Sequence, residues 1–310
     1  MAVIPFHIVD AFATRPFTGN PAAIIPNAVN LSEAEMFQIT DELSMEAGFV
    51  LPPLSAHADV RLRFFTRRRE AALSGHVVIA AFVSLCDRGL YRPSPDGLSL
   101  RLETGAGVLP LVLTGGEGAP PEVSVTMPAA RFGELIPVGE IAAALDLPVE
   151  TIGFAEQMPQ RVSCGFDQII VPVSDRQAIR GIARDNAGIL ALTDRRGVSG
   201  LTIFCPETYS RDADYHCRFF HPHMGAIEDI ASGTSLAATA SYIVEHGLAM
   251  ASTEVQLIME QGHSLGRPTT VSLGLSVSDE YAGRICLAAS GAVVMRGSFC
   301  FDRATLAAAY

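Results

Sequence analysis

Two Ser-Gly pairs, Ser74-Gly75 and Ser232-Gly233, stand where a loop gives way to a run of small and apolar residues with helical character. The first N–H groups of a helix have no partner within it and carry the positive end of the helix dipole. An anion docks there readily, and glycine lets its atoms approach the backbone. The backbone of Gly75, His76, Gly233 and Thr234 therefore offers donors to an anionic substrate; simple helix capping by Ser74 and Ser232 is the plainer alternative. Two acids lie close by in the chain: Glu46, in ELSMEAGFV, and Asp229, in IEDIASGT, four residues before Gly233. Beside a docked anion and apolar walls, desolvation and like charge both disfavour the ionised form of a carboxylate. Such a group can take and return protons near neutral pH. The chemistry in view is proton transfer on a small carboxylate-bearing molecule.

The elements that must position these residues come as an internal repeat. Residues 62–85 and 217–243 both open on Arg-Phe-Phe (Arg63–Phe65 and Arg218–Phe220), pass through a loop to Ser-Gly, and continue into an apolar helix. Beyond each helix comes a second match, Glu103-Thr104-Gly105 against Glu260-Gln261-Gly262, with an offset that stays near 155 to 158 residues throughout. Matching elements in one order at one offset indicate duplication, and a length of 310 residues fits two domains. Alternating or continuous apolar runs predict strands at residues 62–65, 108–113, 123–127, 168–173, 201–204, 213–219, 255–260 and 269–277. Leu31 to Leu43 reads as a helix capped by Ser32, with Glu33 and Glu35 in its first turn. Residues 140–145 and 175–182 read as short helices, and TGGEGAPP (114–121) as a loop with the domain border just beyond it.

Composition excludes several functions. With 33 acids against 22 bases and a net charge of −11, the chain lacks the basic face of a nucleic-acid binder. Six scattered cysteines form no Cys-x-x-Cys pair, which argues against a disulfide framework or a zinc site built on cysteine. His221 and His223 would share a strand face, but no third metal ligand stands near them in the sequence. The run Arg67–Arg69 reads as a solvated loop. No basic n-region opens the chain, and the longest apolar stretches are near nine residues where a membrane helix needs about 20. The expected location is the cytoplasm, with no membrane partner.

Five ordered motifs together resemble the PhzF-like family, named for phenazine biosynthesis, within the diaminopimelate epimerase fold. DAFATRPFTGNPAAII (Asp10–Ile25) is similar to the family's opening, and SMEAGFV (Ser44–Val50) to the segment that carries its catalytic glutamate, here Glu46. FFTRRREAALSGH (Phe64–His76) and RFFHPHMGAIEDIASGTS (Arg218–Ser235) resemble the segments before the two central helices, and GHSLGRP (Gly262–Pro268) is similar to the family's Gly-Arg-Pro element. The resemblance implies an α+β fold of two pseudo-symmetric domains, each an antiparallel, barrel-like sheet wrapped around a central helix. It implies an N-terminal domain over 1–128, to which a tail at about 298–310 returns, a C-terminal domain over 129–297, and an active site in the cleft between them. It further implies a homodimer, no cofactor and no metal. Glu46 would be the general acid/base, assisted by Asp229 and His76. Asn20, Gly75, Gly233 and Thr234, with Ser74 and Ser232, would hold the substrate.

The departures are specific. Related epimerases carry a pair of cysteines where this chain has Ser74 and Ser232, and a serine hydroxyl is a poor base unless activated. Val77, Ile230 and Arg67 stand where proline is usual, and Thr234 replaces a serine. A proton-shifting isomerase is the leading expectation. A serine-assisted racemase or dehydratase of a cyclic amino or hydroxy acid, and a non-catalytic carboxylate-binding protein, are the competing ones.

Overall fold

The structure is a computed structural model that describes residues 2–301 apart from 117–119, 155, 184–186, 225–226, 250–253 and 279–280. Its contacts divide the chain into two units, Met1–Val123 with Ser290–Tyr310, and Ser124–Ala289. Among the described residues no helix is long and apolar enough to cross a membrane.

The N-terminal unit runs β1 (Ala2–Ala11), β2 (Asn20–Ile25), α1 (Glu33–Leu43), β3 (Ala47–Leu51), β4 (Val60–Phe65), β5 (Glu70–Ala71), α2 (Gly75–Asp87), β6 (Leu98–Thr104) and β7 (Gly107–Thr114). β1 pairs antiparallel with β2, β2 runs parallel to β3, β3 is antiparallel to β4, and β4 runs parallel to β6, which turns back as β7. Every residue of α2 from Gly75 to Leu85 is buried. A helix apolar on all sides needs cover on all sides, and α2 packs on β1, β2 and β3. The opposite sheet face, with Ala23, Ile25, Ala47 and Phe49, is covered by Met36 and Ile39 of α1. α1 begins with the expected capping box: Ser32 accepts from the Glu35 N–H while the Glu35 carboxylate takes the Ser32 N–H.

The C-terminal unit follows with β8 (Glu122–Met127), β9 (Arg131–Leu135), α3 (Val138–Leu145), β10 (Gln160–Ser163), β11 (Asp167–Pro172), α4 (Arg176–Gly181), α5 (Ala187–Arg196), β12 (Gly200–Cys205), β13 (Tyr215–Phe220), β14 (Glu228–Asp229), α6 (Gly233–Glu245), β15 (Glu254–Gln261), β16 (Thr269–Ser278) and β17 (Tyr281–Ala289). From β10 to β16 the pairings repeat those from β1 to β7 in order and sense, with α6 in the place of α2. The chain then returns to the first unit as β18 (Gly291–Phe301), paired antiparallel along the whole of β1.

The duplication extends to single side chains. Arg63 donates twice to Glu70 and lies over the Phe65 ring at 5.0 Å; Arg218 donates twice to Glu228 and lies over Phe220 at 4.7 Å. Glu103 accepts the N–H groups of Leu54 and Ser55, and Glu260 those of Tyr209 and Ser210.

Two features differ from the sequence reading. Each unit contains two parallel strand pairs, because α1 and α2, and their counterparts, are crossover connections. The units meet at Val123/Ser124 rather than near residue 128, and the return begins at Ser290 rather than 298, because the ladder with β1 starts at Gly291. Residues 302–310, the rest of the expected tail, lie outside the described residues, as do 117–119 of the expected loop.

Candidate active site

Ser44 ends α1 in the left-handed conformation, φ 53°, and this tight turn delivers Glu46 to the first position before β3. The Glu46 carbonyl accepts the Ala23 N–H at 2.9 Å, fixing its backbone against β2. Across β4 and β5 the chain enters α2 through Ser74 in extended conformation, φ −140°. Ser74 makes no side-chain cap. Its hydroxyl donates instead to Glu46 Oε2 at 2.9 Å and lies 3.3 Å from His76 Nδ1. His76 Nε2 is 3.8 Å from the same carboxylate oxygen. Three residues read separately from the sequence thus form one cluster. Ser74 and His76 are buried, whereas the Glu46 side chain keeps 28% of its surface exposed. Burial lowers the His76 pKa, opposed by the Glu46 charge, so the imidazole is held neutral at pH 7. The N–H groups of Gly75 and His76 have no acceptor among the described residues, as the first turn of a helix requires.

Asn20, the first residue of β2, is buried opposite Ala11. The turn before it is tightly made: the Phe17 N–H donates to Asp10 Oδ2 at 2.7 Å, and Gly19, φ +74°, lies so close to the Ala11 carbonyl that a Cβ would overlap it. This is the physical content of the Gly19-Asn20 motif.

In the C-terminal unit, Asp229 sits on β14 opposite Phe219. Gln261, fully buried, donates to the Asp229 carbonyl at 2.9 Å and accepts the Ser232 N–H at 3.4 Å, which ties the acid to the start of α6. Gly262, φ +87°, touches the Ile230 and Arg267 carbonyls so closely that no side chain would fit. Ser232 behaves unlike Ser74: its hydroxyl accepts the Ser235 N–H at 3.2 Å, an N-cap. Thr234 and Gly233 are buried in the first turn, with Thr234 against Gly165. The register that matches Ala47–Phe65 with Leu201–Phe220 sets Glu46 opposite Gly200, and Phe64–Ala71 against Phe219–Asp229 sets Asp229 opposite Ala71. Each unit carries one of the two acids, at a position where the other has none.

His221 and His223 take different partners: His221 stacks on Phe166 at 5.4 Å, and His223 faces Asp194 at 3.4 Å. The sequence reading missed a different group, His216, Glu260 and His263, whose ligand atoms all lie within 4.8 Å of one another. His216 and Glu260 are 44 residues apart and meet only because β13 and β15 pair in parallel; no local spacing signals it.

The structure is thus a two-unit α+β fold in which Glu46, Ser74 and His76 gather at the start of the buried helix α2. Residues 9–297 match the family model of the phenazine biosynthesis-like proteins, PhzC-PhzF, and the chain belongs to that family. Its named relatives are isomerases, and isomerase is its class of enzyme. The chain is 28% identical over 291 residues to the uncharacterized isomerase YfhB of Bacillus subtilis, covering 92% of this chain and 94% of that protein. It is 25% identical over 295 residues to the trans-2,3-dihydro-3-hydroxyanthranilate isomerase of Pseudomonas aeruginosa, covering 94% and 98% of the two chains. The crystal structure of a Bacillus anthracis phenazine biosynthesis protein of the PhzF family superposes with a TM-score of 0.85 at 28% identity, covering 97% of this chain and all of that one.

Proposed function

We propose that this isomerase shifts a proton on a small carboxylate-bearing substrate, with Glu46 as the general acid/base. Glu46 removes a proton from one carbon and returns it to another carbon of a conjugated system: one C–H bond breaks, one forms, and the double bonds move between them. The observation that carries this reading is the Ser74 hydroxyl, which gives up helix capping to hold Glu46 at 2.9 Å beside His76. Ser74 positions the carboxylate, and neutral His76 relays or stabilises the proton. Asp229 is the second acid. The substrate-binding groups of the first unit are the Gly75 N–H and Asn20, and those of the second are the Gly233 and Thr234 N–H groups.

The serine pair bears on the racemase alternative. A serine-assisted racemase or dehydratase would require Ser74 or Ser232 for turnover; here the Ser74 hydroxyl donates to Glu46 and the Ser232 hydroxyl accepts the Ser235 N–H, so the two are not held alike. The first substrate to try is trans-2,3-dihydro-3-hydroxyanthranilate, which the Pseudomonas relative isomerises by name. In deuterated water the wild type should place solvent deuterium in the product, and Glu46→Gln should lower the rate by about 10²–10⁴-fold. Deuterium uptake by Glu46→Gln at the wild-type rate would refute the assignment; binding without turnover by the wild type would favour a carboxylate-binding protein.

A further inference from the structure

The repeat supplies an internal control for the His216, Glu260 and His263 cluster. In the N-terminal unit the parallel register sets Arg61 opposite Glu103; in the C-terminal unit it sets His216 opposite Glu260. Both glutamates perform one structural task, holding the loop after the preceding strand through two backbone N–H groups. In the first unit a fixed cation completes the arrangement, with Arg61 Nε 3.8 Å from Glu103 Oε1. The fold therefore needs no histidine here. At the arginine's position the second unit has an imidazole, His216, whose Nδ1 is 3.1 Å from Glu260 Oε1. It has added a second imidazole, His263, whose Nε2 is 3.8 Å from Glu260 Oε2.

We propose that His216, Glu260 and His263 form a binding site for a divalent first-row transition ion, with Zn²⁺ as the type case, distinct from the Glu46 cluster. Two imidazoles and one carboxylate are the donor set that such ions take, leaving further positions open. The side chains are held for it. Glu260 is 1% exposed and its carboxylate is oriented by the Tyr209 and Ser210 N–H groups at 2.7 and 2.9 Å, a supporting shell that needs no ion to form. His263 stacks on Tyr209 at 4.4 Å, nearly parallel at 11°, which fixes the plane of its ring. Ligand atoms already within 4.8 Å must close to about 3.3 Å around an ion with bonds of about 2.0–2.2 Å, which small side-chain rotations provide.

The space beside the cluster fits as well. A cavity of about 480 Å³ is lined by His216, His263, Tyr209, Arg180, Arg218 and Ser264. The Arg218 charge is balanced by its paired bonds to Glu228 at 2.7 and 2.9 Å. Arg180, also on the cavity wall, favours an anion, hydroxide or a small carboxylate, as the ligand that completes the ion's coordination from the cavity side.

The test uses the untagged full chain, stripped with a chelator, with its accessible thiols alkylated because Cys300 is exposed. Titration with Co²⁺ should give one saturable equivalent with ligand-field bands of a four- or five-coordinate ion and no thiolate charge-transfer band, and Zn²⁺ should displace it. His263→Gln leaves the Glu260 loop anchor intact and should weaken binding by at least about 10-fold; His223→Gln, outside the cluster, should not. Electron paramagnetic resonance of the Cu²⁺ form should show hyperfine coupling to two imidazole nitrogens, a reading that needs no variant. Absence of saturable binding, equal binding by His263→Gln and wild type, or a Cu²⁺ spectrum without two imidazoles would each overturn the site.

Discussion

In the N-terminal unit the serine before the central helix donates a hydrogen bond to Glu46; in the C-terminal unit the matching serine accepts a backbone N–H and closes the end of its own helix. The same divergence runs through the repeat. Glu46 faces a glycine, Gly200, across the duplication, and Asp229 faces Ala71. Around α2 the matched positions Ala22, Gly48 and Val77 pack without polar groups, whereas Gln168, Thr202 and Ser235 form a buried hydrogen-bonded chain beside α6. The two copies have kept one backbone ladder and differ in what their side chains hold: in the first unit Ser74 holds the Glu46 carboxylate, and in the second Ser232 caps its helix and Gln261 clamps the Asp229 backbone. Backbone pairing depends little on side-chain identity, so a repeat can change its chemistry position by position while the ladder persists.

The largest expected difference between the units is in their matched ion pairs. Arg218 and Glu228 are 4% and 2% exposed, against 17% and 38% for Arg63 and Glu70. Glu228→Gln leaves a buried guanidinium uncompensated and should cost about 3–5 kcal/mol. Glu70→Gln, in a solvated pair, should cost about 0–1 kcal/mol. Urea unfolding of the two variants measures both, and equal losses would mean that burial does not separate the copies. A smaller effect concerns His76, whose folded pKa lies below the ordinary value of 6.5 because burial disfavours its charged form. A depressed pKa means stability that is full above the unfolded value and is lost as pH falls toward the folded one. Between pH 7 and 5 the wild type should lose up to about 1.4 kcal/mol per pH unit more than His76→Gln. Parallel curves would show that His76 is not held neutral.

Much of this was legible in the sequence. The Arg-Phe-Phe and Ser-Gly repeats marked the duplicated strands and helices, and Ser32 with Glu35 marked the start of α1. Helix α5 was missed because only Ile189, Leu192 and Thr193 of its ten residues are buried, too few for a clear period. β18 was missed because its alternation is weak and its partner is the first strand of the chain. The two serines read alike, since both precede glycine at a helix start. Their different tasks follow from what lies across the sheet, a glutamate for one and a glycine for the other, which is a matter of register that no local motif reports. The His216, Glu260 and His263 group was hidden for the same reason.

That contrast gives the most direct test of the catalytic assignment: turnover of Ser74→Ala compared with that of Ser232→Ala, both measured well below their unfolding temperatures. Removing a hydrogen bond to a charged group costs about 1.5–3 kcal/mol. Ser74→Ala should therefore lower kcat by about 10-fold or more, while Ser232→Ala, a lost N-cap, should lower stability by about 1 kcal/mol and leave kcat near the wild-type value. Equal losses of turnover in the two variants would contradict the account and return both serines to a shared role.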